Sequence, residues 1–192
     1  KLNRSKEAEH AYRSALKLQP DYADAHNNLG NLLKQKNRYE EAEACYQTTL
    51  KYQSDYVKAY NNLAVLYKDQ KRFKDAEDFF QTALKLRPDY AEAQCNLGNL
   101  FKEQKRYEVA EKAYQVALKL QPDYAEAHNN LGILFREQKR YQEADTAFQT
   151  ALTLRPNYDD ARLNWSLLLL SLGQFQQGWQ AYESRYLIDN EK

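Results

Sequence analysis

The sequence is short of residues that interrupt helices. Its 192 residues include 5 glycines and 4 prolines against a charged fraction of 29%, and no run of β-branched residues appears. That composition suits helices joined by short turns. A surplus of one charge is missing too. The 28 lysines and arginines stand against 27 aspartates and glutamates, a net charge of +1, so bulk charge favours neither nucleic acid nor an anionic membrane as a partner. The two cysteines, Cys45 and Cys95, lie on different phases of the pattern set out below, so no structural disulfide is expected and the redox compartment stays open. The longest apolar run, Leu167-Leu168-Leu169-Leu170, is far too short to span a bilayer, and no charged-then-apolar leader opens the chain. No membrane insertion and a cytoplasmic location are the expectations. Methionine is absent and the chain opens in the middle of its own pattern, so it reads as a piece of a longer protein.

Catalytic groupings are also missing. His10, His26 and His128 are far apart, and the latter two share a phase near the start of a helix where packing is the favoured reading. No glycine-rich phosphate loop, no Cys/His pair at metal-ligand spacing and no nucleophile with a partner base is found. The expectation is a non-enzyme without catalytic residues, metal or cofactor.

What is present is a period. Pro20, Pro88, Pro122 and Pro156 fall on one 34-residue phase, with Ser54 in the slot where proline is missing. Leu29, Leu63, Leu97, Leu131 and Trp165 share a second phase, each followed by a small residue: Gly30, Ala64, Gly98, Gly132 and Ser166. An aromatic follows (Tyr39, Phe73, Tyr107, Tyr141, Phe175), then a small residue (Ala42, Ala76, Ala110, Ala144, Gly178) and a second aromatic (Tyr46, Phe80, Tyr114, Phe148, Tyr182).

This order of large, small, aromatic, small and proline resembles the tetratricopeptide repeat family over the whole chain. The resemblance implies an all-α fold, a right-handed superhelical solenoid of helix-turn-helix units. Residues 1–192 then form one array. Residues 1–22 are the second half of a truncated repeat, 23–56, 57–90, 91–124 and 125–158 are full repeats, and 159–192 is a divergent terminal one. A helix is expected from about Ser5 to Leu18, and the second helix of the first full repeat at about Tyr39 to Tyr52. Asn37, Lys71, Lys105 and Lys139 occupy the turn between paired helices, a place for a left-handed residue without a strict need for glycine. Asp21, Asp55, Asp89, Asp123 and Asn157 are placed to cap the following helices, with Asp89–Glu92 and Asp123–Glu126 as capping boxes. Tyr22, Tyr56, Tyr90, Tyr124 and Tyr158, one residue later, are either a stacking ladder or wedges between repeats; wedges are favoured. In the last repeat the four leucines lose the polar face, so something is expected to cover them. The Gly178–Arg185 segment is similar to the final repeat of bacterial tetratricopeptide proteins that precede a glycosyltransferase-like domain; Trp179 sealing a terminal core is the competing reading.

The solenoid implied by the resemblance has a concave wall made by first helices, on which residues 34 apart line up in rows. Asn28, Asn62, Asn96, Asn130 and Asn164 form an unbroken row, flanked by Asn27, Asn61 and Asn129 and by Asn31 and Asn99. An amide carries donors and an acceptor, which matches the backbone of an extended peptide whatever its side chains. Lys34, Lys68, Lys102 and Arg136 make a basic row, with Asp69, Glu103 and Glu137 beside it, so no strongly charged ligand is favoured. The Asn row is similar to that of O-linked N-acetylglucosamine transferase, where it holds substrate polypeptide; bonding to neighbouring helices or water is the bland alternative. The basic residues of a two-carboxylate clamp are replaced by Asn27, Glu92 and Asn96. The leading expectation is a protein-interaction scaffold that binds an extended polypeptide segment. The alternatives are a substrate-recruiting arm of a larger glycosyltransferase and an array that self-associates through open terminal repeats.

Overall fold

In the computed structural model, residues 2–187 are described. They form eleven α-helices and no strand: α1 (Leu2–Leu18), α2 (Ala23–Gln35), α3 (Tyr39–Tyr52), α4 (Val57–Asp69), α5 (Phe73–Leu86), α6 (Ala91–Glu103), α7 (Tyr107–Leu120), α8 (Ala125–Glu137), α9 (Tyr141–Leu154), α10 (Asp159–Ser171) and α11 (Phe175–Leu187). The expected all-α class is found. The α3 bounds are those expected, whereas α1 starts three residues earlier than Ser5. The chain divides into two compact halves, residues 1–96 and 97–192.

Each repeat is a pair of helices whose apolar residues recur at three- and four-residue spacing. In α9, Ala144, Ala147, Phe148 and Ala151 are buried; in α8, Ala127, Leu131, Leu134 and Phe135 are. The small-residue phase lets the two helices of a pair approach. A Cβ added to Gly98 would lie 2.7 Å from the Tyr114 ring, and one added to Gly132 would lie 2.6 Å from the Phe148 ring. Both rings are fully buried.

The turn inside each pair is a left-handed helix stop. Asn37, Lys71, Lys105 and Lys139 have φ between 58° and 63°, and Gly173 does the same job at 76°. The following arginine amides close six-residue loops: Arg38 N–H donates to the Leu33 carbonyl, Arg72 to Tyr67, Arg106 to Phe101 and Arg140 to Phe135. This is the Schellman arrangement, which usually carries a contact between the residues so joined. Here that contact is guanidinium on ring, with Arg72 4.0 Å from the Tyr67 centroid, Arg106 4.3 Å from Phe101 and Arg140 4.2 Å from Phe135.

The turn between repeats departs from expectation. The N-cap positions of α2, α4, α8 and α10 are Tyr22, Tyr56, Tyr124 and Tyr158, with no side-chain cap bond. Asp21, Asp55, Asp123 and Asn157 therefore sit one residue too early to cap. The glutamates of the two expected capping boxes are used elsewhere: Glu126 accepts from Arg155 at 2.7 Å, and Glu92 accepts from Asn61 and Tyr90. What ties this turn is the residue four beyond the N-cap. His26 Nε2 bonds the Pro20 carbonyl at 2.9 Å, His128 Nε2 the Pro122 carbonyl at 3.1 Å, Tyr60 the Ser54 carbonyl at 3.0 Å, and Arg162 the Pro156 carbonyl. A carbonyl only accepts, so each histidine carries its proton on Nε2. His26 and His128, which share a phase, thus play the same part in their turns.

The tyrosine phase varies in depth. Tyr90 is buried in a cluster with Ala83 and Ala93, packed against by Val57, Tyr60 and Leu84, which is the wedge expected; Tyr22 is largely exposed. In the last repeat Leu168 and Leu169 are buried and Leu170 lies under Gly178, but Leu167 is exposed, so the leucine run is covered only in part. Trp179 does not seal a core. It is 53% exposed and meets Tyr182 edge-on at 5.7 Å. The Arg185 side chain lies outside those described.

Candidate peptide-binding face

Adjacent residues of a helix point about 100° apart, so two neighbouring asparagines cannot share one environment. The structure separates them. Asn27, Asn61 and Asn129 are buried, at 3%, 1% and 4% exposure. They are turned toward the next repeat and not toward a ligand, which corrects their expected place in a binding row. Asn28 is exposed, and Asn62, Asn96, Asn130 and Asn164 are half-buried.

The two phases are joined by hydrogen bonds. Within residues 1–96, Asn62 Nδ2 donates to Asn27 Oδ1 at 2.9 Å and Asn96 Nδ2 to Asn61 Oδ1 at 3.0 Å. Within residues 97–192, Asn164 Nδ2 donates to Asn129 Oδ1 at 3.1 Å. Asn61 passes the chain on, its own Nδ2 donating to Glu92 Oε1 at 3.1 Å while the Tyr90 hydroxyl donates to Glu92 Oε2 at 3.2 Å. Each joining asparagine commits one of its two N–H groups to the repeat before it. Its orientation is thereby fixed, with one N–H and the carbonyl oxygen left over.

Asn31 and Asn99, also expected in the site, are half-buried and each is tied to a core tyrosine. Asn31 Oδ1 accepts from the Tyr46 hydroxyl at 2.8 Å and Asn99 Oδ1 from Tyr114 at 2.7 Å. Burial pushes the Tyr46 phenol above its ordinary pKa, so it stays a protonated donor. Where the ring is Phe80 or Phe148 and has no hydroxyl, the Asn31 phase carries Val65 or Ile133.

The basic row is partly neutralised. Lys34 and Lys68 both reach Asp69, at 3.5 and 3.0 Å. Burial pulls the Lys34 ammonium below its ordinary pKa against the opposing pull of Asp69. Arg136 approaches the Asn164 main-chain carbonyl at 3.5 Å, and Lys102 is half-buried.

An ionic seam on another face was not read from the sequence. Arg38 bonds Glu9 at 2.7 Å and Glu41 at 2.6 Å; Arg72 reaches Glu43 and Asp75; Arg140 reaches Glu111 at 2.6 Å and Glu143. Lys36 and Arg38 together hold the Glu9 carboxyl down to about 2. The signal was available as two further phases, arginine at 38, 72, 106 and 140 and glutamate at 9, 43, 77 and 111. In the last repeat Gln174 replaces the arginine, and Asp145, on the glutamate phase, accepts from Trp165 Nε1 at 2.6 Å.

Among the described residues no His, Cys, Asp or Glu cluster is arranged to hold a metal, and no helix is long and apolar enough to cross a membrane. Cys45 and Cys95 are free thiols.

Paired helices in tandem, tied by asparagine–asparagine bonds within each half and by one left-handed stop per pair, define an α-helical repeat protein. Models described as tetratricopeptide repeat match residues 21–89, 55–123 and 95–159, and one described as TPR repeat matches residues 1–37. The chain belongs to the tetratricopeptide repeat family, whose repeats serve generally as protein-interaction scaffolds. None of the curated proteins matches it. Among solved structures it is similar to pilF of Pseudomonas aeruginosa, with 25% identity and a TM-score of 0.77 over 85% of this chain and 76% of that one. It is similar in fold to YrrB, described as a TPR protein with an unusual peptide-binding site, with 23% identity and a TM-score of 0.60 over 89% and 88% of the two chains. It also shares its fold with BtubC from P. vanneervenii, with 20% identity and a TM-score of 0.75 over 98% and 89%.

Proposed function

We propose that this chain binds an extended segment of a protein partner, with Asn28, Asn62 and Asn96 in residues 1–96 and Asn130 and Asn164 in residues 97–192 contacting the partner's main chain. The observation that carries the reading is the oriented amide. The bonds from Asn62, Asn96 and Asn164 to the preceding repeat fix each side chain before any ligand arrives, so little rotamer freedom is lost on binding. Each of these three amides keeps a donor and an acceptor, the pair that a peptide unit presents. The partly neutralised charge of the neighbouring Lys34, Lys68 and Asp69 leaves selection mainly to shape and main-chain pairing. A peptide array, followed by side-chain amide NMR of the asparagine row, tests this: ligand-dependent shifts are expected at the row, and binders that leave all five amides unmoved would remove the reading.

Self-association through the last repeat is a second reading, favoured by the exposure of Phe175 (63%) and Trp179 (53%). Light scattering over a concentration series that shows monomer throughout excludes it.

A further inference from the structure

A second kind of site recurs on the opposite partners of the repeat, between successive second helices. One cleft, of about 390 Å³, lies between α1 and α3, and its lining includes Leu16, His26, Leu29, Cys45 and Thr48. Another, of about 360 Å³, lies between α7 and α9, lined among others by Leu118, His128, Leu131, Ala147 and Thr150. Six lining residues of the first cleft have counterparts three repeats on in the second, while Arg13 and Lys17 line only the first and Phe135, Gln142 and Glu143 only the second. Both fall in the roughly 300–1,000 Å³ range of ligand-sized clefts.

The second full repeat shows what fits. On the phase of Cys45 and Ala147 it carries Phe79, and on the phase of His26 and His128 it carries Tyr60. The Phe79 ring lies 5.9 Å from the Tyr60 ring and 5.3 Å, edge-on, from Tyr67, and Tyr67 stands on the phase of Phe135, another lining residue of the α7–α9 cleft. The chain thus places its own aromatic ring on this phase in one repeat and carries Cys45, Ala113, Ala147 or Ala181 there in the other four paired repeats. The equivalent cleft of the last repeat is lined by Gln149, Arg162, Trp165, Gln177, Gln180 and Ala181, so four of its six lining side chains are polar.

We propose that the α1–α3 and α7–α9 clefts each receive an aromatic side chain from a polypeptide partner, seated as Phe79 is seated in the second repeat. The site is separate from the asparagine row, so a partner could engage either alone. Offset or edge-on ring contacts with His26 or with His128 and Phe135, over a floor of Leu29 or Leu131, supply the packing.

The probe is N-acetyl-para-fluorophenylalanine amide, followed by fluorine NMR and by protein amide shifts at Thr48 and Thr150. The native chain should bind it and show shifts at both threonines. The double variant Cys45→Phe and Ala147→Phe should keep its helical circular dichroism and bind about tenfold more weakly or worse, the scale of a lost aromatic packing contact. Should that variant not fold, benzyl methanethiosulfonate added to the folded native chain places a benzyl group on the half-buried Cys45 while Cys95 stays buried; the Thr48 shift should vanish and the Thr150 shift persist. Equal binding by N-acetyl-alanine amide, unchanged binding after either plug, or no binding by the native chain would overturn the proposal. Shifts confined to the asparagine row would overturn it too while leaving the peptide reading intact.

Discussion

The Tyr114 hydroxyl donates to Asn99 Oδ1 at 2.7 Å, from a ring that is fully buried against Gly98. The neighbouring repeat solves the same packing without polar atoms, with Phe148 and Ile133 on the same two phases. Asn99→Ala should remove the Oδ1 acceptor of a buried hydroxyl and cost about 1–3 kcal/mol in urea unfolding, whereas Tyr114→Phe alone should cost about 1 kcal/mol. The double change Asn99→Ile and Tyr114→Phe copies the next repeat and should be close to neutral. With Asn99→Ile alone the cycle is complete, and additive losses in it would show that the two side chains are not coupled.

Gly98 tests the other side of the same ring. Leucine there would drive a branched side chain into a ring already 2.7 Å from the position of a Cβ, in a fully buried contact. The expected loss is roughly 1–3 kcal/mol or more from overpacking. Gly98→Ala should cost much less, because Ala64 occupies that phase opposite Phe80 with both side chains buried. Native-like melting of the leucine variant would refute the close approach.

The period made the fold legible, since one helix pair repeated in register leaves little choice of architecture. The site was legible only in part. Asn27 and Asn28 are both amides, and the sequence places both on a first helix without saying which turns inward. The substitutions on each phase held the answer: the Asn27 phase also accepts Cys95 and Leu163, as a buried position does, whereas the Asn28 phase is asparagine throughout. Likewise Asn31 and Asn99 occur with tyrosine fifteen residues on, and Val65 and Ile133 with phenylalanine. The aspartate caps failed for a different reason. Composition located the turn, but backbone geometry put the helix start one residue later, on tyrosine.

The left-handed turns carry a removable strain. Lys139 has φ of 61°, a conformation that costs a side-chain-bearing residue roughly 1–2 kcal/mol and glycine almost nothing. Part of that gain is lost to the greater freedom of glycine in the unfolded chain. Lys139→Gly should therefore stabilise the array by about 0.5–1 kcal/mol in chemical denaturation. A loss of stability would mean that the lysine does more than complete the turn.

Acid should act through the ionic seam. Glu9, bonded by Lys36 at 2.7 Å and by Arg38 at 2.7 Å, has its folded-state pKa lowered to about 2. A lowered carboxylate pKa means that the unfolded chain binds protons first, so this contribution is fully present above the ordinary value near 4.5 and is lost as pH falls toward 2. Glu9→Gln should be less stable than the native chain at neutral pH and should flatten the decline across that window. Parallel declines in the two proteins, followed by circular dichroism, would assign the acid sensitivity elsewhere.

The asparagine row offers the sharpest separation of binding from folding, because its members are unequal. Asn62 donates to Asn27 Oδ1, and Asn27 is 3% exposed. Truncating Asn62 to alanine removes that donor and leaves a buried oxygen unsatisfied, so the variant should lose about 1–3 kcal/mol of stability as well as any ligand contact. Asn28 heads the row and is exposed. Its replacement by alanine should change stability by no more than about 0.5 kcal/mol, the range of ordinary surface changes. If Asn28 holds a peptide main chain, the same change should weaken a peptide that spans Asn28 and Asn62 by roughly fivefold to tenfold, the equivalent of one hydrogen bond. Melting and titration on both variants then decide the matter. Loss of affinity in Asn28→Ala at unchanged melting assigns the row to binding, while full affinity in Asn28→Ala beside an early-melting Asn62→Ala assigns it to the ladder between repeats alone.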